Sequence, residues 1–88
     1  MLVVDRTAQF KRDLKRMLKR GKDEQKIRAV IIKLAHQEPL PQKYCDHPLS
    51  GNYNKARECH IEPDWLLIYT PMQEAIRLER TGSHSDLF

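Results

Sequence analysis

The hydrophobic period turns from helical to strand-like across residues 39–52, and that change limits the fold more than any other feature. From Phe10 to Leu34 the apolar residues recur as they do on a helix. Phe10, Leu14, Met17 and Leu18 fall at i, i+4, i+7 and i+8, and Ile27, Val30, Ile31 and Leu34 at i, i+3, i+4 and i+7. After Gly51 the patterns are those of strands. Trp65-Leu66-Leu67-Ile68-Tyr69 is apolar at both parities, as expected of a central strand covered on two sides. Ala75–Arg80 alternates, with Ile76 and Leu78 on one side and Arg77 and Glu79 on the other. A helical half followed by a strand half predicts an α+β fold.

Local signals place the elements. Leu2-Val3-Val4 reads as a short strand ended by Asp5 and Arg6. Thr7 is a suitable N-cap for a helix over about residues 8–20, and Gly21 suits the left-handed position after it. Asp23 then caps a second helix over about residues 24–37. The linker Gly21-Lys22 is short enough to demand an antiparallel helical hairpin, and Pro39 and Pro41 stop it. Residues 39–52 form a long irregular connection with Asp46-His47 in the middle, and such loops often carry function. Strands follow at about Tyr53–Ile61, Trp65–Thr70 and Ala75–Thr81, with turns at Glu62-Pro63-Asp64 and Pro71-Met72-Gln73-Glu74. Gly82 to Phe88 is a tail. The predicted order is β-αα-βββ: one curved antiparallel sheet with the hairpin packed on one face. The opposite face is left to present chemistry.

The chain has 88 residues, and residues 1–88 are expected to form a single domain. At 40% hydrophobic and 32% charged residues it is neither a disordered tail nor a membrane span. No apolar run approaches the roughly 20 residues that cross a bilayer. Met1 to Asp5 is too short for a signal h-region, so a cytoplasmic location is expected, with Cys45 and Cys59 free. The net charge of +4 is unevenly spread: residues 1–34 carry eleven Lys and Arg against four acids, a net of +7. Six of these cations, Lys11, Arg12, Lys15, Arg16, Lys19 and Arg20, lie on the first helix. They make it either a solvated face or a surface for a polyanion: nucleic acid, acidic protein or acidic lipid.

Of the four histidines, His36 belongs to the helical pattern. His47 lies in the long loop, His60 near a strand end and His84 in the tail. Strand ends and loops converge in a meander, so these three gather at one rim with Asp64, in the turn after His60, and Arg80, which ends the strand leading to His84. Three readings compete. The first is scattered surface histidines with an Arg–Asp surface pair. The second is a zinc site with a cysteine, but the spacings match none of the short ligand pairs. The third is acid–base chemistry on a phosphodiester, with histidines as base and acid and Arg80 over the phosphate. No Walker loop, HExxH, GxSxG or two-metal carboxylate cluster is present. On this reading side chains act without metal or cofactor. Trp65 and Phe88 are candidates to stack on bases, with core packing the competing role for Trp65. Tyr53 and Tyr69 are ambiguous in the same way. Strict alternation puts Arg80 on the parity of Ile76 and Leu78, so it reaches the open face only if the strand twists or bulges at its end.

Three stretches carry a family resemblance: Asp46-His47-Pro48-Leu49-Ser50-Gly51, residues 57–69 (RECHIEPDWLLIY), and residues 78–88 (LERTGSHSDLF). In these the chain resembles the YafQ branch of the RelE/ParE superfamily of bacterial type II toxins. The resemblance implies the RelE-like microbial RNase fold. It also implies a ribosome-dependent endoribonuclease that cuts mRNA in the A site and is silenced by a small acidic antitoxin of RelB/DinJ type. Carried over by position, it implies His47, His60, Asp64, Arg80 and His84 as catalytic residues and Trp65 and Phe88 as RNA-contacting aromatics. The basic helix, through Lys11, Lys15, Arg16 and Lys19, is then expected to dock on ribosomal RNA. The ParE-like gyrase inhibitors share the fold without this histidine set and are the alternative, as is a non-catalytic nucleic-acid-binding module.

Overall fold

Both long helices begin where a short polar side chain closes an open N–H. The computed structural model, which describes residues 1–51 and 55–88, places α1 at Ala8–Lys19 and α2 at Glu24–Ala35. Thr7 Oγ1 accepts from Phe10 N–H at 2.9 Å, and Asp23 Oδ1 accepts from Gln25 N–H at 2.9 Å. Gly21 sits at φ +92°, a conformation nearly free of cost only for glycine, and its N–H bonds to the Leu18 carbonyl at 3.0 Å. The second helix stops two residues earlier than expected, where Gln37 takes φ +58°.

The strands are β1 Val3–Arg6, β2 His47–Pro48, β3 Arg57–Glu62, β4 Trp65–Pro71 and β5 Ala75–Gly82. The expected start of the second strand at Tyr53 lies outside the described residues. The connection expected to be irregular holds a 3-10 turn at Gln42–Tyr44 and the two-residue β2. The tail folds into one further turn, α3, at His84–Leu87.

The strands lie in the order β1-β5-β4-β3-β2. From β2 to β5 every pairing is antiparallel, as expected, but β1 runs parallel to β5, from Val3 beside Ala75 to Arg6 beside Leu78. Tight turns impose antiparallel pairing on the meander. Between β1 and β5 lie the hairpin, the loop and three strands, so no turn fixes their relative direction.

The helix-side core joins Phe10, Met17, Ile27, Val30 and Leu34 to Cys59, Trp65, Leu67, Tyr69, Ile76 and Leu78 of the sheet. Leu14 and Leu18 of the expected stripe are only half-buried, and Asp13, fully buried, takes a place on that face. β4 is buried from Trp65 to Tyr69, as its two-parity pattern predicted.

One irregularity decides on which side of the sheet Arg80 stands. Tyr69 pairs with Leu78, but Ile68 pairs with Arg80, so Glu79 is an extra residue in β5. After it the alternation reverses. Arg80 leaves the parity of Leu78 and stands beside Ile68, while Thr81 stands beside Leu67 on the helix side. Thr7 Oγ1 donates to the Glu79 carbonyl at 2.9 Å, so the cap of α1 is tied to the bulge. Among the described residues, no helix is long and apolar enough to cross a membrane.

Candidate active site

Directly opposed residues in neighbouring strands project on the same face of a sheet. His47 pairs with Glu58, Glu58 with Ile68, and Ile68 with Arg80, so these four make one row across four strands. The next row on that face runs from His60 through Leu66 to Gly82. Ser83 then caps α3, and the turn brings the His84 ring to 5.7 Å from the His60 ring, edge to face at 80°. The pairing thus sets His47, His60 and Arg80 in neighbouring rows across β2 to β5, with His84 brought beside His60, while Arg80 also reaches Asp13 of α1.

His84 is held by Asp64. The Asp64 carboxylate accepts from the His84 backbone N–H at 2.9 Å and faces its ring Nδ1 at 2.6 Å. These two bonds, the backbone one first, keep Asp64 below the ordinary aspartate range and therefore ionised near neutrality. An ionised carboxylate only accepts, so Nδ1 carries the hydrogen and Nε2 is the nitrogen that can exchange a proton with a substrate. Asp64 thus orients His84, not His60, which it follows in sequence.

The carboxylate beside His60 is Glu58. It is buried, 6% exposed, with Oε1 at 3.3 Å from His60 Nε2 and 3.7 Å from His47 Nε2. His47 Nδ1 donates to the Cys45 carbonyl at 2.8 Å, which settles its other nitrogen toward Glu58. Glu58 escaped the sequence reading, although it shares the parity of His60 and so had to lie on the same face.

Arg80 is gripped by the buried Asp13. Its Nε donates to Oδ2 at 2.7 Å and its Nη2 to Oδ1 at 3.2 Å. Asp13 also accepts from Thr81 N–H at 3.2 Å and Gln9 Nε2 at 2.9 Å. Burial alone pushes this carboxyl up, but the donors, Arg80 foremost, outweigh it and hold it low. Asp13 was also missed. Its only trace in the sequence is its place between Phe10 and Met17 on the face of α1 that packs inward.

Two further expectations separate here. Trp65 is fully buried and its Nε1 donates to Thr81 Oγ1 at 2.9 Å, so it is a core residue and not a platform for bases. A large aromatic opening an apolar strand is drawn into the core once both faces of that strand are covered. Phe88 is 67% exposed beyond α3 and keeps the surface that stacking requires. Tyr69 is core too, its hydroxyl donating to Asp46, which also accepts from Arg57 Nε at 3.3 Å and pins the segment before His47. Lys11, Lys15, Arg16 and Lys19 are all exposed along α1, with Arg16 also 3.4 Å from Asp13. Both cysteines are free; Cys59 is buried, which pushes its thiol up to about 12. Among the described residues, no group of three or more His, Cys, Asp and Glu side chains is placed to hold a metal ion.

A family model described as the bacterial toxin of the type II toxin-antitoxin system, YafQ, matches residues 2–88. The chain belongs to the YafQ toxin family. It is 41% identical over 86 residues to a protein of Escherichia coli K12 named mRNA interferase toxin YafQ, covering 97% of this chain and 94% of that one. It superposes on a crystal structure of the E. coli DinJ–YafQ complex with a TM-score of 0.92 at 39% identity, covering 100% of this chain and 99% of that chain. A crystal structure of a metal-bound toxin from Helicobacter pylori gives a TM-score of 0.94 at 42% identity, with both chains fully covered. The family relationship carried by the motifs of residues 46–88, and the α+β fold expected of the whole chain, are thereby established over residues 2–88.

Proposed function

We propose that this chain is an mRNA interferase, a ribosome-dependent endoribonuclease that cuts mRNA in the A site. The observation that carries this reading is the His84 ring, oriented by Asp64, edge-on to His60 and on the same face as Arg80. That set contains the acid, the base and the fixed cation that cleavage of a phosphodiester needs. The relative named mRNA interferase toxin supports it.

In the proposed reaction the 2′-OH of the RNA gives up its proton and attacks the adjacent phosphorus. The bond from phosphorus to the 5′-oxygen breaks, leaving a 2′,3′-cyclic phosphate and a 5′-OH. Arg80 sits over the phosphate, its fork aimed by Asp13. His84 protonates the departing 5′-oxygen from Nε2. His60, facing the Glu58 carboxylate, takes the 2′-OH proton, and His47 shares that carboxylate as an alternative base or phosphate contact. Phe88 stacks on a base. In this mechanism Arg80 supplies the positive charge and the histidines move the protons, so the proposed step calls for no metal.

Lys11, Lys15, Arg16 and Lys19 dock on ribosomal RNA through phosphates, which fixes position and reads little sequence. The second partner is a small acidic antitoxin of DinJ type, as the solved complex of the E. coli relative suggests. The site of action is the cytoplasm.

Product analysis tests the chemistry. With EDTA present and ribosome integrity controlled, cleavage should persist and yield a 2′,3′-cyclic phosphate with a 5′-OH. Loss of cleavage in EDTA on intact ribosomes, or a 3′-OH product, overturns the side-chain mechanism.

A further inference from the structure

His84 stands on a single helical turn beyond the last strand, with no buried residue of its own, and one turn alone is too short to hold itself. Asp64 ties its first residue. A second tie comes from α1, at the residue that ends it. Arg20 donates to both oxygens of Asp86, Nη1 to Oδ2 at 2.6 Å and Nη2 to Oδ1 at 3.0 Å. The same Asp86 closes a capping box with Ser83: its Oδ2 accepts from Ser83 N–H at 2.9 Å, and its own N–H donates to Ser83 Oγ at 3.2 Å. The fit is close. A Cβ on Gly82 would stand 2.9 Å from Asp86 Cβ and 3.0 Å from its Oδ2, so the turn lies directly against the end of β5.

We propose that Arg20 and Asp86 are positioning residues for His84: their two-pronged pair straps the terminal turn to the end of α1 and sets the angle at which the imidazole meets the substrate. The inference rests on the reading of His84 as the acid. An ordinary surface ion pair adds little to stability because water screens it and long side chains lose freedom. This one acts on geometry, since it orders a turn that has no core of its own, and misplacement of a reacting group by about 1 Å can cost about 10²-fold in rate.

The test compares Asp86→Asn, Arg20→Met and the double variant with wild type. Single-turnover cleavage on programmed ribosomes is measured against toxin concentration, and backbone ¹⁵N relaxation of residues 83–88 is measured in the free protein. Asp86→Asn keeps an acceptor for the Ser83 cap and leaves the basic face of α1 intact. It should slow the cleavage step about 10-fold to 10²-fold at saturation without shifting the half-saturating concentration. The double variant should be no slower than the slower single, and the amides of the tail should gain fast motion in all three. Wild-type rates in both singles with His84→Ala inactive, additive losses in the double, or unchanged relaxation overturns the proposal. If His84→Ala itself cleaves like wild type, the reading of His84 fails, and relaxation, which needs no activity, then decides alone whether the pair straps the tail.

Discussion

His60 and His84 stand 5.7 Å apart, yet the molecule holds them in opposite ways. His60 is part of β3, paired with Leu66 of the buried central strand, so its position comes with the sheet. His84 is exposed on a single turn past the end of β5 and is placed by Asp64 and by the clamp on its own turn. Arg80 belongs with His60, since its partner Asp13 is fully buried and joins α1 to β5. The difference teaches where chemistry and folding can be separated. A change at the strand-held side disturbs the layers that make the fold. A change in the tail disturbs only what the tail does.

The strongest way to press this comparison is to damage the sheet beneath the strand-held groups. Trp65→Ala removes a fully buried ring and leaves the Thr81 hydroxyl without its indole partner. It should cost about 3–5 kcal/mol, a large share of a small domain's stability. Urea unfolding should show the loss directly, and cleavage should fall with the folded fraction. A stable, fully folded Trp65→Ala protein with selectively lost RNA contact would restore the stacking role denied to Trp65 above.

His84→Ala makes the opposite prediction. Stability should stay within about ±0.5 kcal/mol of wild type, since the side chain is exposed. The cleavage step should fall by about 10²–10⁴-fold, with binding to ribosomes and antitoxin kept. Single-turnover cleavage beside a thermal melt separates the two effects. Wild-type rates in a folded variant would remove the tail from the active site.

The smallest effect should come from the basic face of α1, which belongs to neither side. Glu substitutions at Lys11, Lys15 and Lys19 should weaken ribosome binding and flatten its salt dependence, by roughly one unit of log–log slope per lost phosphate contact. The rate at saturation should remain near wild type. Binding that is indifferent to all three makes the helix a solvated face.

Much of this architecture was legible in residue spacing. Thr7, Gly21 and Asp23 marked the helix ends because capping and left-handed backbone depend on single nearby residues. The two-parity run at Trp65–Tyr69 marked the buried strand for the same local reason. His47, His60 and His84 stood out because histidine is sparse and their loops had to converge. The missed partners, Asp13 and Glu58, are carboxylates that looked like ordinary surface charge. Asp13 is met by Arg80 from the far end of the chain, and Glu58 by His60 on its own strand and His47 on the neighbouring one.

Short-range spacing marked the two long helices, the longer strands and their order, because caps, turns and amphipathic stripes are read within a few residues. Pairing across the sheet settled the rest. The parallel direction of β1 follows from no turn, and the side of the sheet from which Arg80 acts follows from the extra residue at Glu79. Asp64 serves His84 rather than His60 because the tail folds back over the end of β5. Register and fold-back are relations between segments far apart in the chain, and each reverses or redirects a side chain that local alternation had placed.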